Sequence, residues 1–104
     1  MIHLVDTVDV QPDDLEAYRA AFAECYLPGA VDRGMELVGC WHTPTQIGET
    51  VTVTVVFRVG SWANWELIRN AGVRDPLMST WVDKRRALMT KGTRRFYEST
   101  SFSP

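Results

Sequence analysis

The sequence predicts an α+β domain of the ferredoxin-like type, in which four strands form one antiparallel sheet. Three observations predict this fold. The 104 residues suffice for one domain, spanning residues 1–104, and are too few for two ordinary ones. Segments rich in β-branched residues alternate with amphipathic helical segments in the order βαββαβ. In that order the two helical crossovers lie on a single face of the sheet.

The first half of the chain predicts a strand, a helix and a second strand. Residues 2–10 alternate and are rich in β-branched types, as strands are. The segment 11–14 (QPDD) opens the helix, because proline suits the first turn and acidic side chains favour the positive end of the helix dipole. An apolar stripe follows at helical spacing: Leu15, Tyr18, Phe22 and Cys25. We expect Pro28-Gly29 to kink or end this helix, and Met35–Thr43 to form the second strand.

The second half predicts a strand, two short helices and a last strand. Val51–Val59 is almost entirely valine and threonine, which is typical of a strand, and the turn Pro44–Glu49 precedes it. Ser61 is placed to cap a helix over Trp62–Asn70. Asp75-Pro76 begins another helix, which Gly92 ends, and Thr93–Phe102 forms the last strand. Trp81 shares an apolar stripe with Met78, Val82, Arg85, Leu88 and Met89, so we expect it in the core.

Composition excludes several classes of protein. Apolar residues make up 45% and charged residues 23%, and no run approaches the roughly 18–20 apolar residues of a membrane span. The net charge of −2 gives no argument for nucleic-acid binding. Six of the 11 bases lie between Lys84 and Arg95 with no acid among them, which indicates either a solvated face or a contact with an anionic ligand. We expect a cytoplasmic protein without a membrane partner.

No motif indicates a cofactor or a metal. The sequence contains no Gly-rich phosphate loop, GxSxG elbow, HExxH or CxxC, so metal-dependent, hydrolase and nucleotide-dependent functions have no support. The two cysteines, Cys25 and Cys40, lie in apolar segments and are expected to be buried free thiols. The strands offer Val, Leu, Ile, Phe and Trp to both sides of the sheet, whereas the helices cover only one. We therefore expect a homodimer in which two sheets close face to face as a dimeric α+β barrel.

The chain resembles the NIPSNAP family of dimeric α+β barrel domains along nearly its whole length. Residues 34–41 (GMELVGCW) resemble the family's second strand, Gly-x-x-Leu-x-Gly-aromatic. Gly48-Glu49 before the third strand, Asp75-Pro76 followed by Trp81, and the ending 101–104 (SFSP) are similar to further family features. The opening strand followed by 11–13 (QPD) resembles the family's strand and Lys-Pro-Gly-like turn. The resemblance implies the ferredoxin-like fold and the dimeric barrel.

Departures from the family pattern suggest a specialised site. The family's first strand usually carries Glu, Arg and Tyr toward the barrel, where this chain has Leu4, Asp6 and Val8. Its third strand usually carries His, Trp and Tyr, where this chain has Val55, Phe57 and Val59. The alternation alone would place the Leu4 side under the helices, but the resemblance places it in the barrel, and we follow the resemblance. The pocket would then be apolar and keep one acid.

Three side chains are candidates for catalysis. Asp6, surrounded by hydrocarbon, should have a raised pKa suited to proton transfer, unless it faces an arginine or water. His42 at the end of the second strand is a candidate general acid or base, and Tyr97 on the last strand is a candidate hydrogen-bond donor to a substrate oxygen. Both residues also fit ordinary structural roles at strand ends.

The expected function is that of a cofactor-free enzyme. The predicted substrate-binding side chains are apolar or aromatic: Leu4, Val8, Trp41, Val55, Phe57 and Trp65. With an acid among them, the pocket suits an isomerase, cyclase or lyase that moves a proton on a hydrophobic carbonyl-containing small molecule. Arg58 and Arg69 are candidates for neutralising a ligand carboxylate. A cofactor-free monooxygenase acting on an aromatic substrate, or a non-enzymatic ligand-binding or assembly protein, are the alternatives.

Overall fold

The computed structural model describes residues 1–99 and has the predicted ferredoxin-like fold. The strands are β1 (Ile2–Val10), β2 (Glu36–His42), β3 (Val51–Val59) and β4 (Met89–Glu98). The helices are α1 (Leu15–Ala21), α2 (Leu27–Asp32), α3 (Trp62–Gly72) and α4 (Met78–Leu88). The end of the last predicted strand and the SFSP ending that resembles the family lie outside the described residues.

The sheet is fully antiparallel, with the strand order β2-β3-β1-β4. β1 is a central strand and pairs with both β3 and β4. In this register Asp6 lies opposite Val55 on one side and opposite Arg94 on the other. Residues directly opposite one another share a face of the sheet, so the pairing fixes which side chains can meet.

The helices cover the sheet face that carries the even-numbered residues of β1. Leu4, Val8, Val55 and Phe57 are at most 3% exposed and belong to the core beneath the helices. The expectation that this face lines a barrel is therefore wrong. The alternation of apolar and polar residues in β1 and β3 determines which sheet face the helices cover, because burial under the helices stabilises the most apolar face most.

The first helix continues through Pro28 by changing its winding. A 3-10 turn, Pro12–Asp14, precedes α1, and a π-helical turn, Phe22–Tyr26, joins α1 to α2. In the π turn the backbone N–H of Leu27 bonds to the carbonyl of Phe22, five residues back. The predicted kink at Pro28-Gly29 thus takes the form of a π turn just before the proline, which also brings Phe22 and Tyr26 into the core.

The last helix ends earlier than Gly92, at Leu88. Met89 is already extended, with φ −90° and ψ 146°, and it pairs with Val10 of β1. Because β4 already pairs with the central strand β1 at Met89, β4 begins before Gly92. Gly92 therefore lies inside β4, opposite Val8. Trp81 is buried at 7% exposure, as predicted from its stripe.

The other face of the sheet is left uncovered by the chain's own helices. It is mostly polar in β1, β3 and β4: His3, Thr7, Asp9, Thr52, Thr54, Arg58, Lys91, Thr93, Arg95 and Tyr97. The expectation of an apolar uncovered face is therefore wrong for these three strands. Thr7 and Thr93 share a hydrogen bond of 2.5 Å there. Of the two cysteines, Cys25 is buried as expected, but Cys40 is exposed near the edge of β2.

Within residues 1–99 no helix has both the length and the apolar character needed to span a membrane.

Candidate functional site

The candidate site is a cavity of about 410 Å³ between the helix-covered face of the sheet and helices α3 and α4. This volume lies within the usual range for small-molecule pockets. The lining side chains are mainly aromatic, aliphatic and cationic: Tyr26, Arg33, Met35, Trp65, Ile68, Arg69, Gly72, Val73, Met78, Trp81, Val82, Arg85 and Arg94. The cavity therefore offers hydrocarbon and positive charge to the same ligand.

Arg94 joins the cavity to the central strand of the sheet. Its Nε donates to Asp6 Oδ1 at 2.7 Å, and its Nη2 donates to Asp6 Oδ2 at 3.0 Å. Nη2 also lies 3.4 Å from the hydroxyl of Tyr26. A two-pronged pair of this kind fixes the plane of the guanidinium as well as its position. Partial burial lowers the pKa of Arg94, but the hydrogen bonds and charge of Asp6 outweigh it and raise that pKa, so the side chain stays cationic.

Aromatic rings hold Arg94 from the other side. Its guanidinium carbon lies 5.6 Å from the ring centre of Trp65, within range of a cation–π contact. Trp65 in turn packs edge-on against Phe96 at 5.4 Å. Phe96 also contacts Trp62, whose indole N–H donates to Glu98 at 2.6 Å. The start of α3 is thus tied to β4, and Trp65 is held beside the cation.

A second polar group lies next to this pair. Burial raises the pKa of Tyr18 to about 12, and the nearby charge of Arg85 lowers it only in part. The Tyr18 hydroxyl therefore stays protonated at neutral pH and is available as a hydrogen-bond donor. Arg85 lines the cavity from α4. Tyr26, Arg85 and Arg94 form the polar lining of the cavity, and Asp6 and Tyr18 adjoin these groups from outside the lining.

The apolar side is built on Trp81. Its ring centre lies 5.6 Å from Tyr18, 5.9 Å from Phe22 and 5.5 Å from Tyr26. Tyr26 and Phe22 also contact Phe57 in the core of the sheet. Trp81 is therefore both a core residue and part of the cavity wall, whereas its stripe predicted only the core role.

The structure separates the three predicted catalytic residues. Asp6 faces the helices in the middle of the sheet. His42 is exposed at the end of the edge strand β2, where its Nδ1 lies 2.8 Å from the carbonyl of Thr43. Tyr97 lies on the opposite edge strand, β4, and faces away from the helices beside His3. His42 and Tyr97 therefore do not join Asp6, because two strands separate the edges and Tyr97 is on the other face.

Asp6 also differs from its predicted setting. It was expected to be isolated in hydrocarbon, but Arg94 donates two hydrogen bonds to it, which is the arginine-paired alternative. Sequence alternation could not reveal this partner, because the two residues are 88 positions apart and meet only through the β1–β4 register.

Of the predicted substrate-binding residues, only Trp65 lines the cavity. Leu4, Val8, Val55 and Phe57 are packed core beneath it. Trp41 is 55% exposed and faces the uncovered side of the sheet, where its ring lies over Gly39. A Cβ on Gly39 would lie 2.3 Å from the Trp41 ring, so the glycine leaves room for the ring.

Of the predicted ligand arginines, Arg69 lines the cavity and Arg58 pairs with Glu36 on the open face.

Sequence reasoning missed Tyr26, Arg85 and Arg94. The signal for the two arginines was the basic segment from Lys84 to Arg95, which was noted as a solvated face or an anion contact. Among residues 1–99, no group of three or more His, Cys, Asp or Glu side chains is placed to hold a metal ion.

The fold and site define a class: a single ferredoxin-like α+β domain with a ligand-sized cavity between its sheet and its helices. Within this class, the chain belongs to the NIPSNAP family, whose model matches residues 6–104. The resemblance seen in the sequence is thereby confirmed. Comparison with the curated proteins gives no match.

Solved structures with the same fold include other NIPSNAP proteins. An uncharacterised NIPSNAP domain protein from Burkholderia xenovorans is 16% identical, with a TM-score of 0.79, covering 100% of this chain and 99% of that one. A protein from Agrobacterium tumefaciens is 19% identical, with a TM-score of 0.78, covering 100% and 98%. An antibiotic biosynthesis monooxygenase is 9% identical, with a TM-score of 0.65, covering 96% and 99%. At these identities the likeness shows the fold alone.

Proposed function

We propose that the protein is a cofactor-independent enzyme of the isomerase, cyclase or lyase type, which moves a proton on a hydrophobic carbonyl-containing small molecule. The observation that carries the proposal is the Asp6–Arg94–Tyr26 group at the wall of an aromatic cavity. A carboxylate, a cation and a hydroxyl within hydrogen-bond reach of one another are the groups that enolisation needs.

Each group has a distinct part in the proposed step. The carboxylate of Asp6 accepts a proton from the carbon next to the carbonyl through one water. The electron pair of the broken C–H bond moves to form the enolate, and its negative charge falls on the carbonyl oxygen. The guanidinium of Arg94 and the hydroxyl of Tyr26 stabilise that oxygen. Return of the proton to another carbon completes an isomerisation.

The cavity supplies the setting for this chemistry. Trp65, Trp81 and Met78 give it apolar walls beside the partly exposed guanidinium of Arg94, and charges next to an apolar wall interact more strongly than they do in bulk water. The two hydrogen bonds to Asp6 fix the guanidinium of Arg94 in position, so little reorganisation is needed when charge develops on the substrate. Asp6 lies outside the cavity lining but is 19% exposed, so its carboxylate is proposed to act on a bound molecule through a bridging water.

The working unit is proposed to be a homodimer formed through the uncovered sheet face. The chain is a slab only 17 Å thick along its shortest axis, against 41 and 38 Å along the others. A slab with one bare sheet face presents a broad flat surface for a second copy. In this arrangement the cavity of each protomer lies on the outer, helical side, so each keeps its own site.

The test is hydrogen–deuterium exchange of 2-tetralone, a flat ketone with acidic α-protons, followed by proton NMR in deuterated buffer. Wild-type protein should accelerate exchange above the buffer rate. Asp6→Asn should lose most of the acceleration, on the order of 10²-fold or more, because general-base catalysis typically contributes that much. Asp9→Asn is the matched control, because Asp9 lies on the same strand and faces the other side.

Two results would contradict the proposal: no acceleration by the wild-type protein, or equal acceleration by the Asp6→Asn and Asp9→Asn variants. Circular dichroism would first establish that both variants are folded. Oxygen consumption with a hydroquinone, without ketone exchange, would instead support an oxygenase, the activity named for one structural neighbour. Ligand binding without either activity would support a binding protein.

A further inference from the structure

The charges around the cavity are markedly one-sided. Four arginines contribute to its wall, Arg33, Arg69, Arg85 and Arg94, and no Asp or Glu is among the lining residues. The chain as a whole carries a net charge of −2, so this concentration of positive charge is local and opposes the overall balance. Positive charge gathered in a concave apolar site attracts an anionic ligand.

Carboxylates hold two of these arginines from outside the wall. Asp6 binds Arg94 from the sheet, and Asp75 binds Nη1 of Arg33 at 2.7 Å from the loop before α4. Both acids fix the direction of the guanidinium without entering the lining. Nη1 of Arg94 has no hydrogen-bond partner within residues 1–99, and Nε of Arg33 is buried without one in the same residues.

Arg85 interacts with the hydroxyl of Tyr18 but with no carboxylate among residues 1–99. It forms no ion pair within the described part of the chain. Its guanidinium reaches from α4 over β4 at Gly92, where a Cβ would lie 3.1 Å from Arg85 Nη2. Gly92 and Arg94 are two residues apart on one strand, so their side-chain positions share the helix-covered face. The missing side chain of Gly92 leaves room for Arg85 over β4, so Arg85 and Arg94 line the same cavity.

We propose, building on the function proposed above, that the ligand is an aromatic or similarly flat carboxylate. Its carboxylate group would bind between Arg85 and Arg94, and its rings would pack against Trp65 and Trp81. A planar guanidinium matches a carboxylate in geometry, and the free Nη1 of Arg94 supplies one of the donors. The flat body of the proposed ligand fits the aromatic wall of the cavity. Its negative charge fits Arg85, which has no ion-pair partner in the described residues.

The probe is 2-naphthoate, compared with its neutral analogue 2-naphthamide of nearly equal shape. Neither compound has an α-proton, so binding is measured independently of the proposed chemistry. Affinity is measured by titration calorimetry, and the site is identified from the indole N–H signals of the tryptophans in ¹⁵N NMR spectra. Naphthoate should bind at least about tenfold more tightly than the amide, as one charge-assisted hydrogen-bond pair contributes.

Two arginine variants on the same helix test the assignment. Arg85→Gln should lower naphthoate affinity about tenfold and leave naphthamide affinity nearly unchanged. Arg86→Gln removes the neighbouring charge, which is exposed and outside the cavity lining, and should leave both affinities as in wild type. Gly92→Ala should also weaken naphthoate binding, because the new Cβ displaces the Arg85 guanidinium.

Equal affinity for acid and amide would overturn the inference while leaving the proposed proton-transfer function standing. So would loss of naphthoate binding in Arg86→Gln to the same extent as in Arg85→Gln, since that would indicate a diffuse surface charge. Absence of naphthoate binding at millimolar concentrations would overturn it as well. Naphthoate binding as expected, combined with failed ketone exchange, would keep the ligand class and remove the proposed enzyme.

Discussion

Replacing Trp81 with alanine tests the packing on which the whole site depends. Trp81 is only 7% exposed, and its ring contacts those of Tyr18, Phe22 and Tyr26. Burying an aromatic side chain of this size removes roughly 150–250 Å² from water, which at about 25 cal/mol per Å² is worth about 4–6 kcal/mol. Alanine keeps part of this contribution, so the expected loss in the free energy of unfolding is about 3–5 kcal/mol.

The assay is equilibrium unfolding in urea, followed by far-UV circular dichroism so that the lost indole does not change the signal. A domain of this size is typically stable by about 5–15 kcal/mol, so the variant should be folded but much weakened. Trp81→Phe keeps a ring in place and should cost less than the alanine variant. It also remains informative if the alanine variant does not fold.

Trp62→Ala is the matched control. Trp62 lies on the outer part of α3, is 48% exposed, and makes one ring contact with Phe96 and one hydrogen bond to Glu98. Its loss should cost about 1 kcal/mol, as for an exposed substitution that removes one ring contact and one hydrogen bond. If Trp81→Ala unfolded at the same urea concentration as Trp62→Ala, the packing of α4 on the π turn would be refuted.

Three further predictions follow from other parts of the structure. In the native protein a thiol reagent should label the exposed Cys40 and spare the buried Cys25, as peptide mass spectrometry would show. Partial desolvation of its sulfur raises the pKa of the Cys40 thiol, so labelling should accelerate as the pH rises. Equal labelling of both cysteines would contradict this. The backbone N–H of Leu77 and the side chain of Arg33 lower the pKa of Asp75. The ionised Asp75 carboxylate therefore stabilises the fold fully above the ordinary carboxyl pKa of about 4, and this stabilisation is lost as the pH falls through the lowered pKa of the folded state. Asp75→Asn should thus be less stable than wild type at neutral pH, with the gap in urea unfolding closing in acid; a gap independent of pH would contradict this. Sedimentation should give about twice the 11.8 kDa chain mass, and a monomer at micromolar concentration would remove the proposed dimer.

Much of the fold could be predicted because its signals are local. The valine and threonine content of Val51–Val59, the Ser61 cap and the helical spacing that places Trp81 in the core each depend on a few neighbouring residues, and all three agree with the structure. Ser61 accepts a hydrogen bond from the N–H of Asn64, as a cap does. The early end of α4 escaped prediction because pairing with β1, rather than Gly92, decides where β4 begins.

The orientation of β1 shows how local signals can be overruled wrongly. Alternation alone placed Leu4 under the helices, which is where it lies, but the family resemblance was followed instead. The site depends on that choice, because a strand turned over presents every side chain to the other face. The exposure of Cys40 has a different reason: its partner Val55 lies on the helix-covered face, but Cys40 itself is on the edge strand β2.

The candidate site itself could be predicted only in part. Asp6 was singled out, but its partner Arg94 is set by strand register, and Tyr26 is brought in by a π turn that no sequence signal specified. His42 and Tyr97 were selected for their chemistry. Their positions on opposite edges of the sheet depend on the strand order, which residue types do not determine.

The central claim is that ligands bind between the sheet and α3–α4, against Arg94 and Trp65. A crystal structure of the protein grown with 2-naphthoate tests this most directly. The account predicts the naphthyl rings beside Trp65 and Trp81, with the carboxylate between Arg85 and Arg94. Naphthoate bound instead on the uncovered face of the sheet, beside Thr93 and outside that cavity, would contradict it.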